Sequence, residues 1–187
     1  MLRKMTALIL IAVSTGPILS PAEATNKKKP VAVTSTQYLN WLGDCAGSGY
    51  LSLEPVVNDE SCALFFPGVG DTHAFPGSEG LPLTLDASQP ITVDFTLSTG
   101  ASVAADFKVE VTGVVNGEEK LIASGTETVL IGAQSLTPVH YDLEPGAALN
   151  KASITALNVT VTWTGGATYS KIDFNTTTAP IVLHGFK

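Results

Sequence analysis

From residue 81 onward the chain alternates apolar and polar side chains with a period of two, and no other feature limits its fold as much. Ile91, Val93, Phe95 and Leu97 alternate with Thr92, Asp94, Thr96 and Ser98. Leu157, Val159, Val161 and Trp163 alternate with Asn158, Thr160, Thr162 and Thr164. The same spacing runs through Leu81, Leu83 and Leu85, through Phe107, Val109 and Val111, and through Val139, Tyr141 and Leu143. Successive side chains of a strand point to opposite faces, so each run predicts a strand with one dry and one wet side. Further strands are expected at residues 121–124, 127–131, 169–174 and 181–186. No 3.6-residue period is sustained between Leu81 and Lys187, and turn residues separate the runs. Asn116-Gly117 is the best of these turn signals, because both residues tolerate the positive φ of a tight hairpin. Many short half-buried strands without intervening helices predict an all-β, antiparallel two-sheet β-sandwich of jelly-roll-like type. Trp163 and Tyr141 fall on dry faces and are expected in its core. Tyr169, which alternates with Ile172 and Phe174, is expected on the wet side.

The first residues read differently. Arg3 and Lys4 precede an apolar run from Met5 to Val13, and Ala22-Glu23-Ala24 offers small residues at a cleavage site. This is the pattern of a secretory signal peptide over residues 1–24. The run is too short for a membrane span, which needs about 20 residues. Residues 25–36, with Lys27, Lys28 and Lys29 followed by Pro30, are expected to form a flexible basic tail. Residues 37–187 then suit a single β-sandwich domain. The expected location is secreted and extracellular, or periplasmic in a Gram-negative cell, with no transmembrane segment in the mature chain. An oxidising compartment makes Cys45 and Cys62 a disulfide pair, since they are the only cysteines.

Charge narrows the partners. From Val31 onward there are five lysines against sixteen acidic residues, a formal charge of −11. Such a surface should repel nucleic acid and anionic lipid, which are bound through clusters of Lys and Arg. A carbohydrate or cell-surface partner is compatible with it.

Residues that could carry chemistry are few. The only histidines are His73, His140 and His184. Residues 65–81 are rich in Gly and Pro and read as a long loop, the expected place for a ligand. Asp71, His73, Phe75 and Glu79 are its candidate binding residues. His140, Asp142 and Glu144 share one face of a strand and form a candidate metal row, with Asp94 or Glu110 as neighbours. No Gly-x-Ser-x-Gly elbow or His-Glu-x-x-His motif is present, and no cofactor is implied. The expected function is a secreted non-catalytic β-sandwich module, acting as a surface, matrix or ligand-binding protein. The alternative is a secreted hydrolase that acts on glycans through Asp and Glu carboxylates such as Glu54, Asp94, Glu110 and Asp142. Asn158-Val-Thr160 and Asn175-Thr-Thr177 also match the N-glycosylation pattern. The alternating strands, and the late Trp strand that ends in Gly165-Gly166, resemble in a general way the jelly-roll modules of secreted bacterial proteins. That resemblance implies a fold and no site residues.

Overall fold

The alternating runs build two antiparallel sheets that pack face to face. A computed structural model describes residues 37–43, 49–52, 62–77, 83–166, 170–174 and 182–186. All of these lie in one unit, Thr34–Lys187. The first sheet contains β1 (Gln37–Gly43), β2 (Gly49–Ser52), β3 (Cys62–Phe66), β6 (Ile91–Ser98), β9 (Thr137–Leu143), β11 (Ser170–Phe174) and β12 (Val182–Phe186). The second contains β4 (Thr72–Pro76), β5 (Leu83–Thr84), β7 (Val103–Val115), β8 (Glu118–Ile131) and β10 (Ser153–Gly166). The chain crosses repeatedly between them, as expected for a jelly-roll-like sandwich. Among the described residues the only helical element is the short 3₁₀ turn Ala147–Leu149.

β6 organises the first sheet. One of its edges carries β9 along nearly its whole length, from Ile91↔Leu143 to Leu97↔Thr137. The opposite edge is shared, with β12 at Val93 and Asp94 and β11 from Thr96 to Ser98. The second sheet runs β4-β10-β7-β8, with β5 also paired to β10.

The predicted dry faces meet between the sheets. Ile91, Val93, Phe95, Leu97, Tyr141 and Leu183 come from the first sheet, and Phe107, Val109, Val111, Val159, Val161 and Trp163 from the second. Phe66 and Phe107 bridge the layers edge to face, with centroids 5.3 Å apart. Each buried aromatic or large aliphatic side chain of this kind contributes about 1.5–3 kcal/mol by leaving water.

Two readings of the sequence are corrected here. The long loop expected over residues 65–81 is interrupted by β4, which pairs with β10 from Thr72↔Thr162 to Pro76↔Asn158. The connection from β3 to β4 is only the turn at residues 67–71, where Gly70 takes a φ of +99°. Pro76 misled because prolines usually end strands, but an edge strand tolerates one. The separate strands expected at 121–124 and 127–131 are one strand, β8, paired with β7 from Val115↔Glu118 to Val103↔Ile131. A bulge opposite Val111 and Thr112 absorbs the change of phase. Gly125 lets the strand continue, since a β-carbon there would lie 2.7 Å from Leu143 Cδ2. The hairpin at Asn116-Gly117 forms as predicted, with φ values of 55° and 82°. The expected signal peptide, the basic tail and Tyr169 lie outside the described residues, as does Cys45.

Candidate functional site

The outer face of the first sheet carries the largest group of interacting ionisable side chains among the described residues. Asp94 projects from the centre of β6, opposite His140 on β9 and Val182 on β12. His140 Nδ1 lies 2.6 Å from one Asp94 oxygen, and His184 Nε2 lies 3.2 Å from the other. The second ring nitrogen of His140 is 3.2 Å from Asp142, two residues along its own strand. A carboxylate accepts and does not donate, so His140 can satisfy both neighbours only as the imidazolium. Its pKa is accordingly raised from 6.5, mainly by the hydrogen bond to Asp94, against a smaller desolvation cost. Asp94 is held below 3.8, first by its hydrogen bond to His184 and then by His140, with burial opposing both. The contact between Asp94 and His184 was not anticipated. The alternation places Asp94 on a wet face, but the strand expected at 181–186 is apolar in both phases and gives His184 no face, and nothing local says that β12 lies beside β6.

The predicted metal row is therefore only partly assembled. His140 and Asp142 meet, and Asp94 joins them as foreseen. Glu144 lies exposed just beyond the end of β9. Among the described residues no group of three or more His, Cys, Asp or Glu is arranged to hold a metal ion. Glu110 belongs to the other sheet, where it pairs with Lys108 at 2.7 Å. The hydrogen bonds of the cluster account for its geometry without a metal.

Three of the residues expected to bind a ligand, Asp71, His73 and Phe75, make structural contacts. Phe75 is fully buried against the core, so it offers no ligand surface. Its position on β4, opposite Val159, fixes that orientation. Asp71 closes the turn of residues 67–71 by accepting from the Gly68 amide, and its backbone pairs with Trp163. His73 donates to the Phe65 carbonyl at 2.7 Å and packs edge-on against Phe66, tying β4 to β3. Glu79 lies outside the described residues.

The ionic cluster has a pH signature. The raised pKa of His140 gives stability that is complete below about 6.5 and is lost as the pH rises through the higher folded value. The lowered pKa of Asp94 gives stability that is complete above about 3.8 and is lost as the pH falls through the lower folded value. Both contributions are present together only between roughly pH 4 and 6.5. Asp94→Asn is expected to lower Tm most near pH 5 and least near pH 9, with the gap narrowing in 1 M salt. An equal loss at both pH values would show that the cluster carries no such linkage.

No protein-family model matches the chain, and no curated protein matches it. Solved structures do. A CocE/NonD family hydrolase from Staphylococcus aureus aligns with a TM-score of 0.58 at 9% identity, over 82% of this chain and 37% of the hydrolase. An aminopeptidase from a marine sediment archaeon, Thaumarchaeota archaeon, aligns at 0.55 and 11% identity, over 80% of this chain and 37% of the enzyme. An α-amino acid ester hydrolase aligns at 0.55 and 10% identity, over 81% and 36%. The shared property is the fold. The chain spans little more than a third of the length of these proteins.

Proposed function

We propose that this chain is a non-catalytic β-sandwich module that works outside the cytoplasm and holds a ligand on an outer sheet face. One observation carries the reading: His140, at the centre of the largest ionisable group among the described residues, is held at both ring nitrogens. Its Nδ1 faces Asp94 and its Nε2 faces Asp142. A general base needs an unprotonated nitrogen facing substrate, and an imidazolium held at both ends lacks one. The alternative reading gains no general acid from Asp94. A glycosidase acid has a raised pKa, whereas that of Asp94 is lowered. The matched hydrolases lend a fold, and folds host unrelated functions. The acidic surface supports a neutral partner, for which carbohydrate is the leading class.

The test is to run the purified mature protein through native gels that contain soluble neutral polysaccharides, alongside assays with chromogenic esters, aminoacyl amides and glycosides. Retardation in at least one gel without turnover is the expected result. Turnover that disappears in Asp94→Asn would overturn the reading in favour of the hydrolase.

Export also predicts the redox state. Cys62 opens β3, and Cys45 is expected to pair with it. Mass spectrometry of the exported protein under non-reducing alkylation should show no labelled thiol and an N-terminus at Thr25. Reduction should cost about 3 kcal/mol, the chain-entropy value for a loop of roughly 16 residues. Two alkylated cysteines in the exported protein would refute the pairing.

A further inference from the structure

We propose that β8 is the interface of a two-fold dimer, in which the β8 strands of two copies pair antiparallel about Thr126 and join their second sheets into one. The proposal does not depend on what the outer faces bind. β8 ends the second sheet, with β7 along one side and no described strand along the other. An edge strand carries a row of backbone N–H and C=O groups that can pair with another chain. Proteins discourage such pairing by keeping edge strands short, but this one runs for 14 residues, Glu118–Ile131.

The side chains of β8 say what pairs with it. Its register with β7 places Leu121, Ser124, Thr126, Thr128 and Leu130 on the outer side, opposite Thr112, Glu110, Lys108, Asp106 and Ala104. The bulge makes this row possible. Leu121 and Leu130 would otherwise point to opposite faces, but the extra residue, Ile122, is turned into the core. The row Leu-Ser-Thr-Thr-Leu reads nearly the same from either end. A two-fold interface brings the same patch of both copies together, so the patch has to complement itself in reverse. An antiparallel pair centred on Thr126 achieves this. Thr126 meets its own counterpart, Ser124 meets Thr128, and Leu121 meets Leu130. Both leucines are exposed, at 54% and 76%. Single exposed apolar residues are ordinary. What sets these two apart is that the register which matches the polar residues also joins them.

The inner side agrees. The same register sets Ala123 against Val129 and Gly125 against Glu127. Glu127 points inward, opposite Phe107, and an inward charge on an edge strand usually deters pairing. Here it meets a glycine, which has no side chain to crowd it. Other registers are worse. One centred on Glu127 opposes the two carboxylates, and one centred on Gly125 sets Leu130 against Glu119. A single strand edge buries less than the about 1,200–2,000 Å² of a standard interface, so a weak dimer is expected, with a Kd of about 10–100 µM. Each domain carries a formal charge of −11, so added salt should tighten it.

Sedimentation velocity of the mature protein from about 5 µM to 0.5 mM measures the association. Wild type should pass from monomer toward dimer, and further in high salt. Leu130→Asp should raise the Kd at least tenfold with little change in Tm, as is usual for an exposed position. Disulfide trapping reads the register. Thr126→Cys should form a covalent dimer under mild oxidation, since directly opposite Cα atoms lie about 4.5–5.5 Å apart. Ser124→Cys and Thr128→Cys should each stay monomeric alone, with like residues about 13 Å apart along the strand, and should cross-link when mixed. Wild type, whose two cysteines are expected to pair with each other, is the control. A protein that stays monomeric throughout the range overturns the proposal. So does a dimer that Leu130→Asp leaves intact or that salt dissolves, because another surface then joins the copies. Failure of Thr126→Cys to cross-link, or cross-linking of Ser124→Cys with itself, overturns it as well. None of these outcomes touches the module reading, which the polysaccharide gels decide.

Discussion

Trp163→Ala is expected to destabilise the sandwich by about 3–5 kcal/mol, the range for removing a large aromatic side chain from a core. Trp163 is 2% exposed and faces inward from β10, opposite Phe107 on β7. Its ring does more than fill volume. The indole N–H donates to the carbonyl of Gly165, across the register shift that ends the regular pairing of β10 with β7. Gly166, next in the chain, sits at a φ of +86°, and a β-carbon there would lie 2.5 Å from the Ala104 carbonyl. The indole therefore pins a bulge that only glycine can form. The loss should appear in urea unfolding as a lower midpoint with an unchanged slope. Trp163→Phe separates the two contributions, because it keeps most of the apolar area and loses the N–H. It should fall between wild type and Trp163→Ala. Free access of acrylamide to Trp163 in the native protein would contradict the burial on which this expectation rests.

How legible this fold was depended on how local its causes were. The long runs around β6, β7, β9 and β10 could be read because alternation is a property of neighbouring residues, and each apolar residue in those runs is buried. The hairpin at Asn116-Gly117 could be read for the same reason. β4 could not. Thr72-His-Ala-Phe-Pro is short and flanked by turn residues, and it becomes a strand because β10 presents an edge to it. The continuity of β8 was hidden because its bulge shifts the alternation by one residue. The candidate sites were less legible still. Asp94 and His140 read as wet-face residues and His184 had no assigned face, and their meeting requires β12 and β9 to flank β6.

Tyr141 makes the strongest statement about how the two sheets are joined, and two substitutions should show it. Tyr141→Ala is expected to cost about 3–5 kcal/mol, like other large aromatic truncations in a core. Tyr141→Phe should cost only about 0.5–1.5 kcal/mol, the usual net contribution of one hydrogen bond. The side chain starts on β9 in the first sheet and is fully buried. It stacks on Phe95 with centroids 5.9 Å apart and donates its hydroxyl to the Phe107 carbonyl of the second sheet at 2.9 Å. That hydroxyl must stay protonated to donate. Burial pushes its pKa well above the ordinary 10, with the nearby Glu127 adding to the shift. The consequence is an alkaline limit on stability. Above about pH 10 the unfolded chain loses this proton while the folded chain keeps it, so the unfolded state binds fewer protons and stability falls as pH rises. One such group contributes a slope of about 1.4 kcal/mol per pH unit until the folded phenol also ionises. Urea unfolding of wild type and Tyr141→Phe at pH 9 and pH 11 measures it. The phenylalanine variant should be the less stable of the two at pH 9, and the difference should shrink or reverse at pH 11. A constant difference across that interval would mean that the hydroxyl ionises as readily in the folded protein as in the unfolded one, and the bond between the sheets would not be the buried one described.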